Sequence, residues 1–172
     1  MNPFRWSFRQ QFLFGCFACA ALLCYALFVQ FQLGIQPCPF CIFQRICFAA
    51  LGFVFLLGGM LSPRSAGARK VWGFAALIPA LAGVGYAGRH SWVQLYPPEL
   101  PSCGPGLNFI VEQHSWLGAA KRVLQATGDC SNIDWQFLGL SMPMWALIWF
   151  VLLGAGALYA GFLPRHSHLF RK

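Results

Sequence analysis

Four stretches of this chain carry no Asp, Glu, Lys or Arg: residues 10–44, 46–63, 71–88 and 135–164. A helix that crosses a bilayer needs about 20 mostly apolar residues. The first stretch is too long for one helix, and its end holds Gln32, Gly34, Gln36, Pro37 and Pro39, which break helices. The pattern predicts spans at about 12–31, 42–61, 71–89 and 143–163. Pro143 suits the first turn of the last span, where a missing N–H costs little. Backbone groups in lipid must be paired internally, and the chain shows no ten-residue alternation of a membrane barrel. The expected fold is an all-α membrane protein, a four transmembrane helix bundle forming a single membrane domain over 1–172, with outer loops at about 32–41 and 90–142.

Charge supports this solvent. Only 9% of the residues are charged, against roughly 25% in soluble domains. Too few polar groups are present to cover a small soluble globule. Disorder needs the opposite composition. The net charge of +8 raises nucleic acid as a partner, but no dense Lys/Arg stripe is present. The basic residues instead mark topology. Arg5, Arg9, Arg64, Arg69, Lys70, Arg165, Arg171 and Lys172 fall on one side, while Glu99, Glu112, Asp129 and Asp134 all lie in the long loop. By the positive-inside rule both termini are cytoplasmic and the two outer loops face away from the cytoplasm. The first apolar run, about 20 residues, exceeds the 7–15 of a signal peptide and is read as a span. Residues 107–125 have an amphipathic pattern that suits either a helix on the membrane surface or one packed on the bundle.

Topology sorts the eight cysteines. Cys16, Cys19, Cys24 and Cys47 lie in spans, where a free cysteine packs as a small apolar residue. Cys38, Cys41, Cys103 and Cys130 fall on the outward side, where thiols tend to form disulfides. Three readings suit them: structural staples, a four-cysteine metal site, or redox exchange. A CxxC ring closes too small a loop to be a good staple. The second pair lacks the CxxC spacing of zinc sites. CxxC is the recurrent unit of dithiol exchange.

Arg45 lies four residues after Cys41, on the same helical face. A guanidinium and a helix amino terminus both favour the thiolate, which is the exchanging species. An arginine at the membrane boundary is a functional candidate; its other reading is a snorkelling anchor. No haem-attachment motif, GxGxxG or cluster-type cysteine array supplies an electron acceptor. A quinone, with its head at the boundary and its tail in lipid, suits the geometry.

The run Gln36-Pro37-Cys38-Pro39-Phe40-Cys41-Ile42-Phe43-Gln44-Arg45 resembles the first outer loop of the disulfide bond formation protein B (DsbB) family. His90, Gln94-Leu95-Tyr96-Pro97, Cys103, Cys130 and Trp135 to Pro143 extend the resemblance in the same order over about residues 10–163. The resemblance implies a bacterial inner-membrane oxidoreductase that reoxidises a periplasmic thioredoxin-like oxidase of the DsbA type and passes electrons to quinone, either ubiquinone or menaquinone, with no metal. It implies that a Cys103–Cys130 disulfide is attacked at Cys103, that Cys130 then attacks Cys38, and that Cys41 is left as a thiolate toward the quinone, with Arg45 balancing its charge. His90 resembles a residue linked to the quinone; it also reads as a hydrogen-bonded boundary histidine.

Two rival classes share some of these features. A quinone-linked oxidoreductase of the vitamin K epoxide reductase type has the loop pair before the CxxC, the reverse of the order here. A tetraspanin-like scaffold with structural disulfides expects adjacent loop cysteines and gives Cys38, Cys41 and Arg45 no role. His166 and His168 read as a solvated end.

Overall fold

The computed structural model describes residues 7–34, 37–97 and 135–162. These form four helices, α1 (Phe8–Leu33), α2 (Pro39–Leu61), α3 (Ala66–Leu95) and α4 (Met142–Phe162), and a two-stranded ribbon, β1 (Gln136–Phe137) and β2 (Leu140–Ser141). All four helices are long and apolar enough to cross a membrane. Large apolar side chains on the outside, such as Phe17 at 70% and Ile78 at 73% exposure, are what a lipid solvent calls for.

Local chemistry sets the helix ends. Ser7 caps α1 in a reciprocal box with Gln10, and Gly34 closes it in the left-handed conformation at φ 66°. Pro39 opens α2 directly after the N-cap Cys38. Ser65 accepts from the N–H of Ala68 at the start of α3. α3 is longer at both ends than the expected 71–89, and the CPFC run is not a loop: Pro39, Phe40 and Cys41 already belong to α2. Arg69, His90 and Ser91 lie in the added turns of α3. Arg69, His90 and Ser91 are buried, and a scan for uncharged residues cannot see that. Likewise the end of the expected loop 90–142 is the β1–β2 ribbon, turned at Leu138 and Gly139 with φ of 53° and 77°, the twist that a two-residue hairpin requires.

The helices run up and down in sequence, and specific contacts fix their register. On the α1–α2 seam, rings fill glycine notches: a Cβ on Gly58 would lie 2.6 Å from Phe12, and one on Gly15 would lie 2.9 Å from Phe55. Phe12 and Phe55 also meet edge to face at 5.2 Å. On the α3–α4 seam, small residues bring the backbones together: a Cβ on Gly73 would lie 3.0 Å from the Ala157 carbonyl, and Ala76, Ala80 and Ala87 are buried along the same face. This is how helices associate where no hydrophobic drive operates between them. α2 joins the two halves, with Phe48 stacked on Phe150 at 3.9 Å. The up-down order brings the end of α1, the start of α2, the end of α3 and the start of α4 to one end of the bundle. Cys19 and Cys47 are buried in the bundle as packing residues, and Cys24 is exposed.

Candidate active site

The Cys38–Cys41 turn sits at that shared end. Cys38 is the N-cap of α2, with an extended backbone at φ −69° and ψ 165°. Cys41 is one turn on, so the two sulfurs lie side by side, 3.3 Å apart. The pair sits at the amino terminus of α2, the positive end of the helix dipole.

Each sulfur has a different setting. Cys38 lies against α3, where His90 Nε2 is 3.8 Å from its Sγ. The other ring nitrogen, Nδ1, is 3.2 Å from the side-chain amide of Gln44. Phe40 stacks on the imidazole at 5.4 Å. His90 and Gln44 are 2% and 5% exposed, and both ring nitrogens of His90 are engaged, one by the Gln44 amide and one by the Cys38 sulfur. Cys38, Cys41 and His90 place their three ligand-type atoms within 4.8 Å of one another.

Cys41 lines a cavity of about 490 Å³. Leu22, Leu23, Tyr25 and Ala26 of α1 form one wall, and Met142, Trp145, Ala146 and Trp149 of α4 form another. Trp135 and Phe137 of the ribbon close the end, while Gln44, Arg45 and Phe48 of α2 line the side with Cys41. The ribbon is held by aromatic contacts, Tyr25 to Trp135 at 5.9 Å and Phe137 to Trp145 at 6.1 Å, and by Trp145 Nε1 donating to the Phe137 carbonyl at 3.1 Å.

Arg45 lines this cavity but does not bond to Cys41. Its guanidinium donates to Gln30 Oε1 and, at 3.1 Å, to the Ala26 carbonyl, both on α1. The i, i+4 spacing put arginine and cysteine on one face, and α1 then captured the guanidinium. His90 stands beside Cys38 and is absent from the cavity lining. Cys103, Cys130 and the amphipathic stretch 107–125 lie outside the described residues. Gln30 and Gln44 were not singled out in the sequence. The signal was there: each is a polar side chain within a charge-free span, and such residues turn inward to a partner.

Four membrane-spanning helices, with a dithiol turn at one end and one of its sulfurs on an aromatic cavity, define an integral-membrane protein built around a CxxC. Comparison with known families is specific. The family model described as "Disulfide bond formation protein DsbB" matches residues 8–160. "Disulfide bond formation protein B" of Xanthomonas euvesicatoria is 58% identical over 168 residues, 97% of this chain and 98% of the relative. The protein of the same name from Xylella fastidiosa is 48% identical over 163 residues, 94% of each. The chain belongs to the DsbB family.

Proposed function

We propose that this protein reoxidises a periplasmic thioredoxin-like dithiol oxidase of the DsbA type and passes the electron pair to a membrane quinone, ubiquinone or menaquinone, in the bacterial inner membrane. The positive-inside pattern supports termini in the cytoplasm and active loops in the periplasm. One observation carries the reading: the sulfurs of Cys38 and Cys41 are in contact, and of the two it is Cys41 that lines the cavity.

The cavity fits a quinone head. It offers flat aromatic walls, with Arg45 and Gln44 as polar groups at the Cys41 side, the mix that small-ligand sites use. When bound, the quinone supplies an acceptor for two electrons and two protons. The chain's own residues perform the exchange. The donor's thiolate attacks Cys103 in a Cys103–Cys130 disulfide and frees Cys130 as a thiolate. Cys130 attacks Cys38, the Cys38–Cys41 bond breaks, and its electron pair stays on Cys41. Thiolates are the attacking and leaving species throughout. His90, facing Cys38, manages the proton of that sulfur. Arg45, held by α1, keeps a fixed positive charge on the cavity wall beside the electron-rich sulfur.

The test is quinone reduction by the purified protein with a reduced thioredoxin-like donor. Turnover is expected in wild type and lost in both Cys41→Ser and Cys103→Ser. Retained turnover in Cys41→Ser would remove the donor placed next to the cavity.

A further inference from the structure

The structure assigns a second capacity to the same turn: in the dithiol state, Cys38, Cys41 and His90 form a site for a thiophilic divalent cation, Zn²⁺, which competes with disulfide formation. This rests on the reading of Cys38 and Cys41 as a pair that alternates between dithiol and disulfide. The ion is a competitor and not a resident cofactor.

The geometry is close to what zinc needs. Zinc binds sulfur at about 2.3 Å and imidazole nitrogen at about 2.0–2.1 Å, so a tetrahedral centre spaces its sulfurs by about 3.8 Å and sulfur from nitrogen by about 3.5 Å. Here the sulfurs are 3.3 Å apart and Cys38 Sγ is 3.8 Å from Nε2. A small rotation of one cysteine side chain opens the first distance. Three ligands among the described residues leave a fourth position that water can fill, the open form of zinc coordination. An independent feature supports the histidine as a ligand. Its Nε2 is the ring nitrogen nearest the Cys38 sulfur, Phe40 fixes the ring plane, and Gln44 Nε2 lies 3.2 Å from Nδ1; turning the Gln44 amide end for end makes its oxygen accept from Nδ1–H and leaves the Nε2 lone pair for the ion. With the amide so turned, Nδ1–H donates to a side-chain oxygen, the arrangement that orients metal-binding histidines through their second nitrogen. Arg45, the cation on the same helix, spends its guanidinium on Gln30 and Ala26. Two thiolates neutralise the ion, which suits a membrane boundary where net charge is costly.

Binding moves no electrons. Zn²⁺ replaces the two thiol protons, which go to solvent, and two metal–sulfur bonds form. The sulfurs cannot join until the ion leaves, so zinc holds the protein reduced and a chelator releases it.

The test uses full-length protein in detergent carrying Cys103→Ser and Cys130→Ser, reduced under anaerobic conditions and titrated with Co²⁺ as the spectroscopic probe. The expected result is one equivalent bound, with thiolate-to-cobalt charge-transfer bands and a tetrahedral visible spectrum, displaced by Zn²⁺ and absent after oxidation. Cys38→Ser should abolish the charge-transfer bands, and Gln44→Leu should weaken binding by about 10–100-fold. His90→Phe should weaken it at least as much. An octahedral spectrum without charge transfer, or equal affinity in His90→Phe and its parent, would overturn the site. Should His90→Phe not fold, Gln44→Leu reads the same contact. Mass detection of a Cys38–Cys41 disulfide formed on adding quinone separates the two claims. Cobalt binding without that disulfide removes the relay and keeps the metal site; the disulfide without cobalt binding removes the metal site alone.

Discussion

Cys38 and Cys41 touch, yet they belong to different surroundings. Cys38 packs with Tyr86 against Phe40 and Phe43 and lies beside His90, between α2 and α3. Cys41 faces an apolar chamber between α1 and α4. The difference comes from three residues of backbone. Cys38 is still extended when Pro39 starts the helix, and Cys41 has already gone round one turn. A helix start can therefore join two environments through a single sulfur–sulfur contact, one suited to exchange with a protein thiol and one to an acceptor dissolved in lipid.

The sharpest way to break this comparison is to remove one sulfur at a time. Cys41→Ser should reduce quinone turnover to background while the Cys38 thiolate still attacks the Cys103–Cys130 disulfide at Cys130 and releases the Cys103 thiolate, a mixed disulfide read on non-reducing gels; Cys38→Ser should lose the trap. If both variants trap equally, the two settings are not functionally distinct. Next in size is Arg45→Met. Hydrogen bonds to a charged group are worth about 1.5–3 kcal/mol, so the quinone KM should rise roughly ten- to hundredfold while the KM for the dithiol donor stays constant. Gly83→Ala tests whether the chamber can be altered from behind. The new Cβ would lie 2.4 Å from the Phe150 ring, which stacks on the cavity residue Phe48. Overpacking of this kind costs about 1–3 kcal/mol. The thermal midpoint in detergent should fall and the quinone KM rise, with the trapping rate at Cys38 unchanged. The smallest effect belongs to Trp145→Phe, which removes the bond to the Phe137 carbonyl and costs about 1 kcal/mol, read as a modest rise in quinone KM alone.

The spans were legible because lipid forbids charge, and the expected spans, trimmed from the uncharged runs by helix breakers and length, fall within four residues of the helices at six of eight ends. The Cys38 to Arg45 run was legible because its spacing carries chemistry. Partners across the bundle were not. Arg45 pointed to Cys41 by helical periodicity, but Gln30, fifteen residues earlier, is its actual neighbour. His90 reads the same in sequence whether it faces a cavity or a sulfur. Gln44 decides which ring nitrogen is free, and nothing in its immediate neighbours announces that. The extension of α3 past Arg89 escaped for the same reason: His90 is buried against Cys38 and Gln44 of α2, contacts that only the packed bundle provides.

The chamber's walls come from α1 and α4, and at its rim Tyr25 and Phe137 are half exposed toward the surrounding medium. A molecule reaching Cys41 by that path is drawn from the bilayer and not from water. Its working concentration is then the number of molecules per lipid, set by transfer of its apolar tail out of water. Apparent affinities in micelles should accordingly fall as detergent is added at constant total acceptor, by simple surface dilution, and inhibitors of equal fit should rank by how strongly they partition.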